Sequence, residues 1–372
     1  MRAHLVCRLL LEKKKWGMII VVGGAARAGP RQDIDALPAA PPPLRNPGLE
    51  CTEGYYDPEG VVGNVPNGWR GLILSDPLRA PRVNSTRVLV TGSCDPNDNS
   101  RHIERLEGSD SWIFRAKDLE TRPEPGKPFD GLLYQQVAVT PDVAYSVSAW
   151  LLSLCGGTAA DCPDGYYIAK MLGVDPNGGA DPLAPSVLWV EDRRSHVEAG
   201  WANLRLGFTA QAITTTLFVR LNSPFQWHGN HGFIDAVSII QAPTARFVAL
   251  PDQVATATIP VQWEGDLGPD IPAIPGGTYR LYFDVEARQG TDGPWQPWLE
   301  GQPAGNALFW AGVASVPRDF YFRVRARAEQ PPAPPAGAWP NHRYPGVWVE
   351  SGPVTVLPLD LPYREFLPTI ER

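Results

Sequence analysis

Methionine and charged residues are both scarce in this sequence, and their scarcity limits the folds that it can adopt. Methionine occurs 3 times and charged residues make up 20% of the 372 residues, while proline occurs 40 times and glycine 36 times. Such a composition favours many short strands joined by tight turns over bundles of helices. The length is sufficient for two or three domains that each bury their own core.

Two further absences exclude classes of partner. The sequence has no dense run of lysine and arginine and its net charge is −7, which argues against binding to nucleic acid. An apolar stretch near the N-terminus, residues 16–22, is too short to cross a bilayer, and no other segment is apolar enough. We therefore predict neither a nucleic-acid partner nor a membrane span.

The sequence also lacks the motifs of the common catalytic sites. It contains no Gly-x-Ser-x-Gly elbow, no His-Glu-x-x-His helix, no phosphate-binding loop and no dinucleotide fingerprint. Carboxylates are plentiful, so counting them does not exclude a glycosidase pair, but small β modules offer no deep cleft to hold one. We therefore predict that the protein is not an enzyme.

The N-terminus has the arrangement of an export signal. Basic residues 13–15 (Lys-Lys-Lys) precede the apolar residues 16–22, and residues 26–28 (Ala-Arg-Ala) form a small-x-small cleavage pattern. A proline-rich stretch follows, which is typical of an extended linker. We predict a signal peptide at residues 1–28, a linker at residues 29–45, and a secreted or cell-surface protein.

The cysteines are consistent with export. Cys7 lies in the predicted leader, which leaves four cysteines in the mature chain. Cys155 and Cys162 are close enough in sequence for a local disulfide, and Cys51 and Cys94 would then pair by exclusion, although four cysteines allow three connectivities. The alternative is four free buried thiols in a cytosolic protein.

Strand patterns fill the first half of the chain. Apolar residues alternate with others at residues 133–139 and again at residues 145–151, and Thr-Pro-Asp at residues 140–142 lies between them. This pattern predicts an antiparallel hairpin. At residues 216–221 Leu and Val share one face while Thr, Phe and Arg share the other, which indicates one buried and one functional face.

Two segments bracket this half of the chain. Residues 46–50 (Asn-Pro-Gly-Leu-Glu) open it and residues 233–239 (Phe-Ile-Asp-Ala-Val-Ser-Ile) close it. Together they resemble the start and end of the galactose-binding-like jelly-roll modules of secreted bacterial proteins. The resemblance covers residues 46–242. It implies adjacent first and last strands and a carbohydrate-binding function.

The same resemblance implies one structural calcium ion. In these modules acidic residues at the two brackets hold the ion, and here Glu50 and Asp235 occupy the matching positions. Ala236 stands where the family often has a second acidic residue, which removes one ligand. Carboxylates and backbone carbonyls from adjacent strand ends supply the oxygens that calcium prefers.

The second half contains longer alternating strands. Residues 279–288 and 320–329 alternate apolar with charged side chains, and residues 259–263 (Ile-Pro-Val-Gln-Trp) precede them. These placements resemble strands B, C and F of a fibronectin type III sandwich, over residues 244–357. Residues 358–372 form a C-terminal tail.

Opposite charges would face each other if the second and third of these strands were neighbours. Asp284 and Glu286 would then share an exposed face with Arg323, Arg325 and Arg327. Cross-strand pairs of this kind contribute only ~0.2–1 kcal/mol each, so we expect them to set the register of the strands. A basic ligand-binding stripe is the alternative, which the interleaved acids oppose.

Ligand binding on a sheet requires exposed aromatic rings with a few polar groups beside them. Gln135 is excluded because it alternates with the apolar residues of its strand. Each aromatic candidate has an alternative role in the core. The candidate ligand-binding residues are Trp112, Tyr167, Trp189, Phe218, Arg220 and Trp227.

The sequence therefore predicts an all-β protein, in which an antiparallel jelly-roll sandwich precedes an immunoglobulin-like, fibronectin type III-like sandwich. The predicted function is non-catalytic binding of a polysaccharide or cell-surface glycan outside the cell. The alternative is a structural or adhesion protein that has protein partners and no glycan ligand.

Overall fold

The computed structural model describes residues 44–56, 65–74, 87–92, 106, 108, 110–117, 129–154, 168–194, 200–223, 231–269, 279–303, 305–329 and 343–358. Within these ranges the chain forms β-strands joined by turns, and its one helical segment is a 3-10 turn, Cys51–Glu53. The predicted all-β fold class is confirmed. No helix in this part of the chain is long and apolar enough to cross a membrane.

Twelve strands lie in the described ranges of the first half of the chain. They are β1 (Tyr55–Tyr56), β2 (Val65–Pro66), β3 (Arg70–Ile73), β4 (Arg87–Gly92), β5 (Trp112–Lys117), β6 (Phe129–Ala138), β7 (Ala144–Leu154), β8 (Ala169–Asp175), β9 (Leu188–Asp192), β10 (Ala202–Thr209), β11 (Thr214–Ser223) and β12 (His231–Gln241).

Ten of these strands form two antiparallel five-stranded sheets. Sheet 1 has the order β10-β7-β12-β5-β4 and sheet 2 has the order β3-β6-β11-β8-β9, while β1 pairs with β2. Every second side chain of a strand points to the same face, so the alternating apolar residues of both sheets meet in one core. This core includes Val147 and Phe208 from sheet 1 and Leu133, Leu172 and Leu217 from sheet 2.

The predicted hairpin between residues 133–139 and 145–151 is wrong. β6 pairs with β3 and β11 in sheet 2, whereas β7 pairs with β10 and β12 in sheet 1. The turn between them carries the chain from one sheet to the other, and the Asp142 N–H donates to Ala210 O at 2.9 Å. Alternation shows which residues face the core but does not identify the neighbouring strand, because strands on opposite sheets bury their apolar faces against the same core.

The two bracket segments lie next to each other, as the resemblance implies. The Val237 N–H donates to Pro47 O at 2.9 Å. β12 contains a register shift between Asp235 and Ser238, and Ala236 has a φ of 47°. This β-bulge releases the Val237 N–H from the ladder with β7 and turns it toward the first bracket.

A buried glutamine also holds the first bracket. Gln135 Oε1 accepts the Arg45 N–H at 2.7 Å, and Gln135 Nε2 donates to Arg45 O at 3.0 Å. The Trp69 indole N–H donates to Asn46 O at 2.9 Å. The inward orientation of Gln135, which excluded it from the ligand-binding residues, is confirmed.

Ten further strands follow in the second half of the chain. They are β13 (Thr244–Ala249), β14 (Gln253–Val254), β15 (Thr258–Asp266), β16 (Arg280–Gln289), β17 (Gln296–Gln302), β18 (Asn306–Trp310), β19 (Arg318–Glu329), β20 (Arg343–Pro345), β21 (Val349–Glu350) and β22 (Val354–Val356).

These strands form a second sandwich. A three-stranded sheet, β13-β15-β18, faces a sheet of order β14-β22-β19-β16-β17, in which β20 and β21 also pair with β19. Its separate core contains Trp263, Phe283, Phe322 and Val324. The two sandwiches lie within one compact unit of the chain, residues 41–372.

Opposite charges do pair across β16 and β19, as the sequence predicts. Arg325 Nη2 lies 2.9 Å from Asp284 Oδ2, Arg327 Nη1 lies 3.1 Å from Asp284 Oδ1, and Arg323 Nε lies 2.8 Å from Glu286 Oε2. Because each arginine has a carboxylate partner, these pairs fix the register of two long strands.

Tryptophans extend this charged face. The guanidinium carbons of Arg288 and Arg323 lie 4.3 and 4.7 Å from the ring centroid of Trp295. Those of Arg323 and Arg325 both lie 4.5 Å from the ring centroid of Trp348. Cation–π contacts of this length stabilise the face by ~0.5–1 kcal/mol each where they are exposed.

The two sandwiches touch along sheet 1. The Ala242 N–H donates to Ala144 O at 2.9 Å, and Ile240 packs with Tyr279 and Tyr344. A Cβ at Gly207 would lie 2.5 Å from Gly346 O, so a side chain cannot be accommodated there without movement. The outer face of sheet 1 is therefore in close contact with the second sandwich near β20.

Several predictions concern residues outside the described ranges. These are the signal peptide, most of the linker, most of the C-terminal tail, and the side chains of Tyr167 and Trp227. Cys51 is disulfide-bonded. Cys94, Cys155 and Cys162 also lie outside the described ranges, so the predicted pairing stays a prediction.

Candidate ligand-binding face

The outer face of sheet 2 brings an aromatic row together. The strand registers place Tyr134 opposite Phe218, Phe218 opposite Gly173, and Gly173 opposite Trp189. Directly opposed residues on neighbouring strands point to the same face. The four positions therefore form a line across β6, β11, β8 and β9, which we call the aromatic row.

Gly173 allows the Trp189 ring to lie flat against the sheet. A Cβ at this position would lie 2.6 to 2.8 Å from three atoms of the benzo ring of Trp189. Any other residue would therefore push the ring outward. Phe218 lies between Tyr134 and Trp189, with 6.0 Å between its ring centroid and each of theirs, and it is fully buried. Phe218 thus supports two half-exposed rings.

Polar groups lie immediately beside the row. Arg220 donates to both carboxylate oxygens of Asp130, from Nε at 2.7 Å and from Nη2 at 2.5 Å. Asn222 Nδ2 donates to Asp130 Oδ2 at 2.8 Å. The Arg220 guanidinium carbon also lies 5.7 Å from the ring centroid of Trp189. A bidentate arginine–carboxylate pair is geometrically specific, so Arg220 is fixed next to the exposed ring.

This arrangement suits a ligand with one apolar face and a hydroxylated rim. An apolar face can stack on Trp189 and Tyr134, while the guanidinium has N–H groups beyond those that Asp130 occupies. Because Asp130 is held by Arg220 and Asn222, its role is to orient these donors.

The structure places the predicted ligand-binding residues in different environments. Trp189, Phe218 and Arg220 lie together on this face, with Phe218 below the surface. Trp112 does not belong to it, because its side chain is 1% exposed and packs in the core with its ring centroid 5.5 Å from that of Phe114. The assignment of Trp112 to a ligand platform is therefore corrected to a core role.

Three residues of this face were missed by the sequence interpretation. Tyr134 could have been found, since it alternates with the core residues of its strand and so points outward. Asp130 and Asn222 could not, because their roles depend on the pairing of β6 with β11, which sequence alternation does not give.

The predicted calcium ligands lie against one short segment at two of its described residues, Leu106 and Gly108. Asp235 is fully buried, and its Oδ2 accepts the Leu106 N–H at 2.8 Å while its Oδ1 accepts the Ala236 N–H at 2.7 Å. The Glu50 carboxylate lies against Gly108, where a Cβ would meet it. Two carboxylates thus converge on this segment, although calcium needs about six to eight oxygens in total.

Side chains alone do not complete a cation site. Among the described residues, no group of three or more histidine, cysteine, aspartate and glutamate side chains is placed to hold a metal ion. A calcium ion at the brackets would therefore depend on backbone carbonyl oxygens in addition to Glu50 and Asp235.

No protein-family model and no curated protein matches the sequence. Among solved structures, a carbohydrate-binding module, TmCBM61 in complex with β-1,4-galactotriose, is 18% identical, covers 53% of this chain and 97% of its own, and has a TM-score of 0.31. A family 16 carbohydrate-binding module is 13% identical, covers 36% and 78%, and has a TM-score of 0.21. The adhesin domain of Epf from Streptococcus pyogenes is 8% identical, covers 61% and 75%, and has a TM-score of 0.25. Likenesses this distant carry no conclusion about the activity of this chain.

Proposed function

We propose that the protein is a non-catalytic extracellular glycan-binding protein and that its ligand lies on the aromatic row of sheet 2. The observation that carries the proposal is the Trp189 ring, which lies over Gly173 beside an arginine fixed by Asp130. Sugar rings present C–H faces that stack on aromatic side chains, and a few polar groups then fix their orientation.

The proposed contacts divide between stacking and hydrogen bonding. Trp189 and Tyr134 provide the stacking surface, and Phe218 holds both rings from below. Arg220 donates to ligand hydroxyls or ring oxygen atoms. A neutral hydroxylated ligand needs no charge partner here, because Asp130 already compensates the charge of Arg220.

A polysaccharide-binding screen tests the proposal. The purified protein is assayed against a panel of neutral and acidic polysaccharides by affinity electrophoresis and calorimetry, together with Trp189→Ala and Arg220→Gln. Trp310→Ala is the matched control, since Trp310 is 68% exposed but lies on the second sandwich. We expect Trp189→Ala to raise the Kd about tenfold or more.

The outcomes test the location of the site and the glycan-binding function separately. Loss of binding in Trp189→Ala but not in Trp310→Ala supports the site. Equal loss in both, or unchanged binding in Trp189→Ala, moves the ligand elsewhere. If no polysaccharide binds while the fold is intact, the glycan-binding function is refuted. Reducing-sugar release from a bound polysaccharide would refute the non-catalytic assignment.

A second candidate function is adhesion to a protein partner. It is favoured by exposed apolar side chains on β18 and the loop after it: Leu308 and Trp310 are both 68% exposed, and Val313 and Val316 are also exposed. Among the described strands, β18 lies at the edge of its sheet and pairs with β15. Contiguous apolar surface at a sheet edge is typical of protein contacts. Leu308→Lys would abolish such a contact and leave glycan binding unchanged.

We further propose the assignments that depend on resemblance. These are a jelly-roll module at residues 46–242, a fibronectin type III-like module at residues 244–357, and export of the protein. A structural calcium ion held by Glu50 and Asp235 belongs to the same set. Its support is that the Asp235 side chain contacts Leu106 and the Glu50 side chain contacts Gly108.

A further inference from the structure

Arg205 lies on the outer face of sheet 1, where this sheet meets the second sandwich. It is opposite Ser148 in the register of β10 with β7, and Ser148 is opposite Ser238 in the register of β7 with β12. The three side chains therefore point to one face. Gly207, two residues further along β10, lies against the backbone of Gly346. Arg205 is thus at the rim of the junction between the sandwiches.

The charge of Arg205 is not compensated within the described part of the chain. No carboxylate there lies within salt-bridge distance of its guanidinium, whereas Arg220, Arg323 and Arg325 each have such a partner. The pKa of Arg205 is lowered to about 10, chiefly by burial and then by the positive charge of Arg343, against the opposing effect of Glu329. An unpaired, partly desolvated cation is costly to maintain.

The surroundings of Arg205 add to this positive charge. Arg325, Arg327 and Arg343 all act on it electrostatically, and Glu329 is the carboxylate that opposes them. Asp284 pairs with Arg325 and Arg327, Glu300 pairs with Arg327, and Glu329 pairs with Arg327 and Arg343, so three carboxylates offset part of the charge of these four arginines. The remaining positive charge lies at the rim of the junction, where it attracts anions.

Hydroxyl groups beside Arg205 also lack partners. Ser146 Oγ and Ser238 Oγ are buried and make no hydrogen bond with any described residue. Ser148 Oγ accepts from Asn203 Nδ2 at 2.7 Å, which leaves its hydroxyl hydrogen to be donated. Ser146 and Ser148 are both fully buried. Asn203 Oδ1, which can only accept, is also buried without a partner among the described residues. Buried polar groups normally have partners, so these atoms beside a guanidinium without a salt bridge indicate a missing hydrogen-bonding group.

We propose that Arg205, Ser148 and Ser238 form an oxyanion-binding site at the junction, which takes a carboxylate or sulfate group. The guanidinium donates two parallel hydrogen bonds to such a group, and the serine hydroxyls donate to its remaining oxygen. The site is on the sheet opposite to the aromatic row, so it does not depend on the proposed glycan-binding face. It would give the protein a preference for acidic ligands.

Thermal unfolding in sodium sulfate, with sodium chloride at equal ionic strength as the reference, tests the site. We expect sulfate to raise the Tm of the wild-type protein in a saturable manner. Arg205→Gln should weaken the Kd for sulfate roughly thirtyfold, because a buried charge-assisted contact is lost. Ser238→Ala should weaken it less. Arg246→Gln is the control that removes an equal charge, since Arg246 is exposed and pairs with Glu264.

Each outcome of these measurements supports or refutes the proposed oxyanion-binding site. A saturable response that Arg246→Gln keeps and Arg205→Gln loses supports the site. An equal response in Arg205→Gln, or no difference between sulfate and chloride, overturns it. In sodium chloride alone, the Tm of Arg205→Gln should be no lower than that of the wild type, because the charge of Arg205 has no salt-bridge partner among the described residues. A lower Tm would show that Arg205 stabilises the fold and would make it a structural residue instead. A comparison of the Tm in glucuronate with the Tm in glucose then tests carboxylate recognition. The Tm of Trp189→Ala should rise with sulfate as that of the wild type does.

Discussion

Gly173→Ala is the substitution that most directly tests the geometry of the aromatic row. The added methyl group would lie 2.6 to 2.8 Å from three atoms of the Trp189 ring. Ordinary contact between carbon atoms is at about 3.5–4.0 Å, so the ring has to move outward by roughly 1 Å. Trp189 is half-buried and packs beside Val187 and Phe218, so we expect the side chain to move while the strand stays in place.

The expected magnitudes follow from this displacement. Overpacking costs about 1–3 kcal/mol, and replacing glycine by alanine in an extended strand returns about 0.4–1 kcal/mol through the unfolded state. The net loss is then about 0.5–2 kcal/mol, which lowers the Tm by roughly 1–8 °C for a unit of this size. The displaced ring should also raise the Kd for a bound polysaccharide by up to about tenfold.

Differential scanning calorimetry and calorimetric titration measure these two effects on the same samples. Gly352→Ala is the control, since a Cβ there meets nothing within 4 Å. Trp189→Phe combined with Gly173→Ala should recover the lost stability, because the atoms that clash belong to the fused ring that phenylalanine lacks. A Gly173→Ala protein that is as stable as the wild type and binds equally well would refute the proposed packing of Trp189 on the sheet.

Four further predictions concern the brackets, the calcium ion, the acid stability and the cysteines. Asp235→Ala should lower the free energy of unfolding by about 2–4 kcal/mol, because it leaves the Leu106 and Ala236 N–H groups without their acceptor, and urea unfolding measures this loss. Chelation by EGTA should lower the Tm of the wild type but not of Asp235→Asn, and an unchanged wild-type Tm would exclude the calcium ion. Burial raises the pKa of Asp192, but the hydrogen bond from Arg194 and then the charge of Lys170 outweigh it and hold the pKa below its usual value. The stability that Asp192 contributes is therefore present above the unfolded-state pKa of about 3.9 and is lost as the pH falls through the lower folded-state pKa. When the Tm is measured from about pH 5 to pH 2, it should fall less steeply for Asp192→Asn than for the wild type. Thiol titration of the unfolded mature protein should find no free cysteine, and four reactive thiols would contradict both the disulfides and the export.

The faces of the strands could be predicted from the sequence, but their neighbours could not. The alternation in β11 correctly separates the core residues Leu217 and Val219 from Phe218 and Arg220 on the outer face. The same reasoning wrongly paired β6 with β7, since strands of opposite sheets bury equivalent faces against one core. Strand pairing is a long-range property, and loop length alone did not reveal that the turn at Asp142 crosses between sheets.

The candidate site shows the same division. Trp189 was identified as an aromatic side chain that could stack on a ligand, and Arg220 because it alternates with the core residues of its strand. Trp112 was misassigned because its local sequence, Ser-Asp-Ser-Trp, gives no sign of its burial, which depends on the packing of the two sheets. The partner of Arg220 is 90 residues away in sequence, so only the register of β6 with β11 could reveal it.

The closure of the first sandwich has a consequence for how it would carry tension. The chain enters at Pro47, which is joined by a hydrogen bond to Val237 in the last strand, and it leaves at the end of that strand, after Gln241. A pull applied to the chain on either side of the sandwich would therefore act first on this contact and on the pairing of residues 238–241 with β7. The two hydrogen bonds between the Gln135 side chain and the Arg45 backbone would carry part of the applied force, since they hold the segment that enters the sandwich. The two five-stranded sheets, and with them the face that carries Trp189, would stay folded until these contacts break.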